Sequence, residues 1–215
     1  MELSVICVGE YMTNCWLLND KKSGKSLLID PGYYSVELDF FLKKNGISEL
    51  EYILITHGHI DHICGVSHIK KKYGGKIVIG EKDAHLLEKN DIIVNTPAYE
   101  SSFLPCKADI TVKDGDELDF AGEKIKVIFT PGHTPGEVCY IIGDKLFSGD
   151  LLFRGSMGRT DLKGGDFFRV VQSLKVLSAL DKDYVVLPGH GEKTTLNYEK
   201  ATNRYLKAAA GINDT

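Results

Sequence analysis

Short apolar segments separated by turn residues dominate the opening of the chain. Their alternation predicts strands over residues 3–8, 16–18 and 27–30, with turns at Asn19-Asp20 and Ser23-Gly24. Helical spacing then links Val36, Phe40 and Phe41 and stops near residues 45–46. Residues 52–55 form an apolar run that predicts a buried strand. The first part of the chain is therefore expected to be rich in β-structure.

The same alternation continues to the last third of the chain. Helical spacing from Ile63 to Tyr73 precedes a predicted strand at residues 76–80. Further strands are predicted at residues 117–120, 124–129, 138–142, 145–147 and 184–187. Two amphipathic helices are predicted around the last strand, one from Phe167 to Leu177 and one over residues 198–210. No linker interrupts the pattern, so we expect a single α+β domain over residues 1–215.

Composition narrows the classes of partner. The 215 residues are 43% hydrophobic, and 30 acidic against 26 basic residues give a net charge of −4 without a basic block. This charge argues against nucleic acid and anionic membranes and favours a small-molecule substrate. Five cysteines without a CxxC pair, no secretory leader and no long apolar run predict a cytoplasmic protein that does not enter a membrane. A monomer and a small homo-oligomer are both compatible with this composition.

The densest chemical pattern is the run THGHIDH at residues 56–62, directly after the strand predicted at 52–55. It places three imidazoles and one carboxylate within six residues, and Gly58 permits the tight turn that brings them together. Imidazole nitrogen and carboxylate oxygen together suit zinc, iron or manganese. The run therefore predicts part of a metal site.

Three later segments offer the remaining ligands. His133 lies in a loop constrained by proline and glycine after the strand predicted at 124–129. Asp150 follows the strand at 145–147, and His190 follows the strand at 184–187. Each candidate lies beside a glycine, which lets the backbone approach a metal closely.

These residues together resemble the metallo-β-lactamase-fold hydrolases, whose HxHxDH motif followed by His, Asp and His is met in full along essentially the whole chain. The resemblance implies a four-layer αββα sandwich with two divalent metal ions, most commonly zinc, at one edge between the sheets; iron or manganese would also suit the ligands. A hydroxide bridging the two metals would be the nucleophile, with the carboxylates of Asp61 and Asp150 as catalytic groups that offset part of the metal charge. Carried over onto this sequence, one metal is expected at His57, His59 and His133, the other at Asp61, His62 and His190, with Asp150 bridging them.

A finer resemblance concerns residues 149–161, which read GDLLFRGSMGRTD. This segment is similar to the short glyoxalase II-like branch, which implies hydrolysis of a thioester such as hydroxyacylglutathione. Arg159 would either bind a substrate carboxylate or pair with Asp161 or Asp166 to hold its loop. Only 215 − 190 = 25 residues follow the last predicted ligand, so we expect no separate C-terminal helical domain for glutathione binding.

Other activities of the same fold remain open at this point. The GRTD portion is shared with persulfide dioxygenases, which would use a single iron at His57, His133 and Asp150. A lactonase or a β-lactamase-like enzyme would use the full ligand set, whereas a non-catalytic binding protein usually has a broken one. Outside the ligand set, Cys64 is expected to be packed in the interior, and His68 and His85 to be solvated on helices.

Overall fold

Two six-stranded sheets lie face to face in the computed structural model, which describes residues 1–89 and 97–211. The first sheet follows chain order, with β1 (Glu2–Val8), β2 (Thr13–Asp20), β3 (Lys25–Ile29), β4 (Tyr52–Ile55), β5 (Lys76–Gly80) and β6 (Ile110–Val112). The later strands are β7 (Glu117–Phe120), β8 (Glu123–Phe129), β9 (Val138–Ile142), β10 (Lys145–Gly149), β11 (Leu152–Phe153), β12 (Ser156–Met157), β13 (Val185–Pro188) and β14 (Thr194–Thr195). The second sheet has the order β14-β13-β10-β9-β8-β7, and β11 pairs with β12 in a separate hairpin.

Helices cover the outer faces of both sheets. They are α1 (Val36–Lys44), α2 (Ile60–Ile63), α3 (Val66–Tyr73), a 3₁₀ segment at Ala84–Leu87, α4 (Pro97–Ser102), α5 (Phe167–Ser178), α6 (Leu196–Thr202) and α7 (Arg204–Ala209). Those before β6 pack on the first sheet, and α5, α6 and α7 pack on the second. Among the described residues, no helix is long and apolar enough to cross a membrane.

Side chains that alternate along the strands produce three apolar layers. In β4, Ile53 and Ile55 face the helices of the first sheet, whereas Tyr52 and Leu54 face the second sheet. In β9, Cys139 and Ile141 pack with α5, while the intervening side chains fill the space between the sheets. The result is the predicted four-layer αββα sandwich.

The structure corrects two details of the sequence interpretation. In α1 the side chains of Val36 and Phe40 are 81% and 66% exposed, and Leu38 and Leu42 form the buried face instead. The helix predicted over residues 198–210 is two helices separated at Asn203. The side chain of Asn203 accepts hydrogen bonds from the backbone N–H groups of Tyr205 and Leu206 and so starts α7.

Hydrogen bonds join the two sheets at one edge. The backbone N–H of Val138 in β9 donates to the carbonyl of Thr56 just after β4, at 2.9 Å. The Tyr140 hydroxyl donates to the carbonyl of Ile55 at 2.9 Å. The N–H of Asn14 in β2 donates to the carbonyl of Gly189, after β13, at 2.7 Å. This edge is also where the strands that precede the predicted ligands end.

Candidate metal centre

All seven predicted ligands lie just beyond the carboxyl ends of strands β4, β8, β10 and β13. The structure brings them together although they are spread over more than half of the chain. Their ligand atoms form overlapping groups, within each of which all atoms are within 4.8 Å of one another. The groups are His57, His59 and His133; His57, His62 and Asp150; and Asp61, His62 and His190.

Three imidazoles form the group that we call the three-histidine site, made of His57, His59 and His133. His57 Nε2 lies 3.0 Å from His59 Nδ1. The ring of His133 lies 4.8 Å from that of His57 and 4.4 Å from that of His59. All three side chains are buried. The geometry suits three nitrogen ligands on one ion.

The second group, Asp61, His62 and His190, includes a carboxylate. Asp61 Oδ2 lies 3.2 Å from His190 Nε2 and 3.6 Å from His62 Nε2. Asp150 lies between the groups, with Oδ2 3.6 Å from His133 Nε2 and 3.5 Å from His190 Nε2. Asp150 therefore contacts members of both groups, as a bridging ligand must.

Backbone carbonyls orient two of the histidines. His133 Nδ1 lies 2.7 Å from the carbonyl oxygen of Arg159, and His190 Nδ1 lies 3.0 Å from that of Tyr11. A carbonyl accepts only from a protonated nitrogen, so Nδ1 of each ring carries a proton, and in the neutral ring Nε2 is the nitrogen with a lone pair for a metal. Such outer partners fix the tautomer and orientation of metal-binding histidines.

A buried carboxylate, Asp30, performs the same task for His62 and, through Thr56, for His57. Its Oδ2 lies 3.0 Å from His62 Nδ1 and accepts from the Thr56 hydroxyl at 2.8 Å. Its Oδ1 accepts from the Thr56 N–H at 2.8 Å, and the Thr56 hydroxyl lies 3.1 Å from His57 Nδ1. The sequence pattern placed Asp30 at the end of a strand, but its left-handed φ of 51° turns it out of β3 towards these partners.

Charge differs between the two groups. Burial and the neighbouring imidazoles lower the pKa of His59 to about 3 and that of His57 well below its usual range. Burial also opposes a charge on His62, but the nearby carboxylates, led by Asp61 and Asp150, outweigh it and raise the pKa of His62 to about 10. At neutral pH the lone pairs of His57 and His59 are thus available to a metal, whereas His62 must first lose a proton.

The polar atoms of the centre that are buried without a hydrogen-bond partner in the described structure include His133 Nε2 and Asp150 Oδ1. Leaving a buried polar atom unpaired costs about 1–3 kcal/mol. A cation between the groups would satisfy both atoms. Gly189 makes room for this arrangement, because a Cβ there would lie 2.2 Å from Asp150 Oδ1. The residues present therefore fit a metal centre, and their nitrogen and oxygen donors suit zinc, iron or manganese.

A cavity of about 530 Å³ opens over the centre. Its apolar walls come from Tyr11, Phe153, Met157 and Leu162. Arg159 lies at its rim, where the exposed guanidinium donates two hydrogen bonds of 2.7 Å to the carboxylate of Asp161. Of the two roles considered for Arg159, the structure shows the pairing with Asp161.

The β11–β12 hairpin supplies one wall of the cavity and is held from behind by α6. Buried Glu199 accepts hydrogen bonds from the Gly155 N–H at 2.8 Å and from the Thr194 hydroxyl at 2.7 Å. Asn203 donates to the carbonyl of Ser156 at 3.0 Å. The sequence analysis did not identify Glu199 and Asn203 as residues that support the hairpin. The sign of this role in the sequence is the spacing of two polar residues, four positions apart, in an otherwise amphipathic segment.

Three side chains outside the ligand set were also interpreted from the sequence. Cys64 is 1% exposed and belongs to the apolar cluster of the first sheet, as expected for a packing residue. His85 is exposed, as expected. His68 is not fully solvated, because it is half-buried and stacks on Tyr34 with ring centroids 5.2 Å apart.

Comparisons with known proteins agree with this architecture. The family model described as the Metallo-beta-lactamase superfamily matches residues 8–190. Hydroxyacylglutathione hydrolase GloC of Haemophilus influenzae is 31% identical, over 97% of this chain and 99% of its own length. The crystal structure of BLEG-1 B3 metallo-beta-lactamase has a TM-score of 0.86 and 31% identity, covering 95% of this chain and 99% of that chain. The crystal structure of TTHA1623 in a di-iron-bound form has a TM-score of 0.80 and 32% identity, covering 94% of this chain and 99% of that chain. The chain belongs to the metallo-β-lactamase superfamily and has the fold of its metal-dependent hydrolases.

Proposed function

We propose that the protein is a two-metal thioester hydrolase that acts on hydroxyacylglutathione or a related acyl thioester. The observation that carries this proposal is the presence of two complete ligand groups joined by Asp150 at the floor of one cavity. The similarity to GloC supports the substrate class, and the di-iron form of TTHA1623 supports two ions. Zinc is our first choice of metal, with iron and manganese as alternatives.

Each residue of the centre has a defined task in this proposal. The three-histidine site would hold one ion, Asp61, His62 and His190 the other, and Asp150 would contact both. Metal ions held by these residues would supply a hydroxide at neutral pH by lowering the pKa of a bound water, and would polarise the substrate carbonyl. The carboxylates of Asp61 and Asp150 would offset part of the four positive charges of two divalent ions, and the positive potential that remains would favour negative charge on the substrate oxygen.

The side chains that line the cavity would orient the substrate. Phe153, Met157 and Leu162 offer apolar contact to an acyl or thiol carbon chain. Arg159 is the cation at the rim, and we propose that it receives a substrate carboxylate while keeping its contact with Asp161. The hydrogen bonds to Asp161 use Nε and Nη2 of Arg159, which leaves Nη1 to donate to a substrate carboxylate.

The test is hydrolysis of S-lactoylglutathione by purified protein, measured together with metal content per chain. We expect about two ions per chain and saturable hydrolysis. His57→Ala should lose bound metal and turnover together, because it removes a ligand shared by two of the groups. His85→Ala is the matched control, since it removes an exposed histidine outside the centre. Metal-loaded protein that hydrolyses no acyl thioester would overturn the proposal.

A second candidate is β-lactam hydrolysis, which the similarity to BLEG-1 favours. The same preparation should therefore be offered a chromogenic cephalosporin. Higher kcat/KM on the cephalosporin than on every thioester would replace the proposed activity with this one. One iron per chain with oxygen uptake on glutathione persulfide would instead identify a dioxygenase.

A further inference from the structure

A buried carboxylate outside the ligand set, Asp83, joins the two loops that carry the three-histidine site. Asp83 lies between β5 and the 3₁₀ segment and has no exposed surface. Its Oδ2 accepts hydrogen bonds from the Gly58 N–H at 2.8 Å and from the Thr134 hydroxyl at 2.7 Å. Its Oδ1 accepts from the Gly136 N–H at 2.7 Å.

The positions of these donors explain what the carboxylate can control. Gly58 lies between His57 and His59, in the loop that follows a strand of the first sheet. Thr134 is the neighbour of His133, in the loop that follows a strand of the second sheet. A Cβ at Gly136 would lie 2.5 Å from Asp83 Oδ1, so the second loop is seated directly on the carboxylate. Asp83 thus fixes the separation of two loops that belong to different sheets.

We propose that Asp83 is a positioning residue that sets the distance between His133 and the pair His57 and His59, and thereby the metal affinity of the three-histidine site. The inference rests on the ligand set proposed above. A metal site needs its ligands within about 0.5 Å of their binding positions. A carboxylate can accept all three hydrogen bonds, whereas any single rotation of an amide points its NH₂ group at one or more of the same donors.

The effect should be confined to one of the two groups. Asp61, His62 and His190 are held through Thr13, Asp30 and Tyr11 respectively, by contacts of 3.0–3.1 Å. None of these three partners is bonded to Asp83 among the described contacts. A change at Asp83 should therefore lower the metal affinity of one site and not of the other, whereas a general loss of stability would lower both.

The experiment is titration of metal-free protein with Co²⁺, followed by visible absorbance, and with Zn²⁺ in competition with a chelator. For Asp83→Asn we expect the dissociation constant of the three-histidine site to rise about 10–100-fold, the usual effect of losing an outer partner of a metal ligand. The second site should stay within about twofold of the wild type. Equal weakening of both sites, or of neither, would overturn the inference.

Two further sets of variants keep the test decisive. Glu199→Gln makes the same chemical change at another buried, triply bonded carboxylate and should leave both metal affinities unchanged. If Asp83→Asn does not fold, Thr134→Val removes one donor to Asp83, and Thr134→Ser restores it. Loss of affinity at the three-histidine site in the valine variant with recovery in the serine variant supports the inference, and equal affinities in both contradict it. Metal binding is measured without substrate, so the result stands even if no thioester is hydrolysed.

Discussion

Replacing Asp30 by asparagine should invert the tautomer of His62. The introduced amide could keep its carbonyl oxygen on the Thr56 N–H, but its NH₂ group would then face His62 Nδ1, where Asp30 Oδ2 lies at 3.0 Å. In the neutral form of the ring, which is the form that binds a metal, His62 Nδ1 would accept that hydrogen bond and the single ring proton would lie on Nε2. Nε2 is the atom that faces Asp61 and Asp150, so the proton would occupy the metal-binding position.

The expected loss of metal affinity is the one that accompanies removal of one outer partner of a metal-binding histidine. Backbone strain contributes little, because asparagine tolerates the left-handed φ of 51° about as well as aspartate. Removing an outer partner of a metal-binding histidine typically lowers affinity 10–100-fold, or about 1.4–2.7 kcal/mol. The loss should fall mainly on the group of Asp61, His62 and His190. His57 is held more indirectly, through the Thr56 hydroxyl, and should be less affected.

The assay is calorimetric titration of metal-free wild type and Asp30→Asn with Zn²⁺, with circular dichroism to verify folding. Asp39→Asn is the control, because Asp39 is also a carboxylate with several partners, including Lys43 at 2.7 Å and the Tyr73 hydroxyl at 2.6 Å, but lies on α1. The reasoning is refuted if folded Asp30→Asn binds both ions within about twofold of the wild type.

Three other predictions concern pH, substrate binding and stability. Because the pKa of His62 is raised to about 10, binding at its group displaces a proton; the apparent affinity should rise about tenfold per pH unit from pH 7 to 9, and titrations giving a flat profile would contradict this. Asn203→Ala should loosen the β11–β12 hairpin and raise KM several-fold with little change in kcat, as steady-state kinetics would show. Leu174→Ala, fully buried under the second sheet, should lower the free energy of unfolding in urea by about 2–5 kcal/mol, whereas half-exposed Val176→Ala should change it by less than about 1 kcal/mol.

Much of the fold could be predicted because its strands are short apolar runs with clear turns. The predicted strand at residues 52–55 coincides with β4, and that at 76–80 with β5. In α1 the apolar residues Val36 and Phe40 lie on the exposed side, so helical spacing located the helix but not its buried face. The break at Asn203 was missed because an asparagine that caps a helix and binds another segment looks the same, in sequence, as one on a polar helix face.

The candidate ligands could be proposed from their spacing, but the residues that orient them could not. Asp30 and Asp83 are single carboxylates without a motif of their own. Their donors lie 26 residues away at Thr56 and 51 residues away at Thr134. Only the packing of the two sheets places these groups within hydrogen-bond distance, and no local pattern encodes that packing.

The long sequence separation between the candidate ligands has a consequence for the order in which the site forms during synthesis. His62 and His190 face each other across 128 residues of chain, and His190 is oriented by Tyr11, 179 residues before it. During synthesis the second group cannot exist until the chain has grown past residue 190 and β13 has joined β10. The emerging chain therefore presents the histidines of the THGHIDH run before their partners are available. On the proposed ligand set, the second group can therefore bind a metal only after β13 has joined β10, late in the folding of the chain.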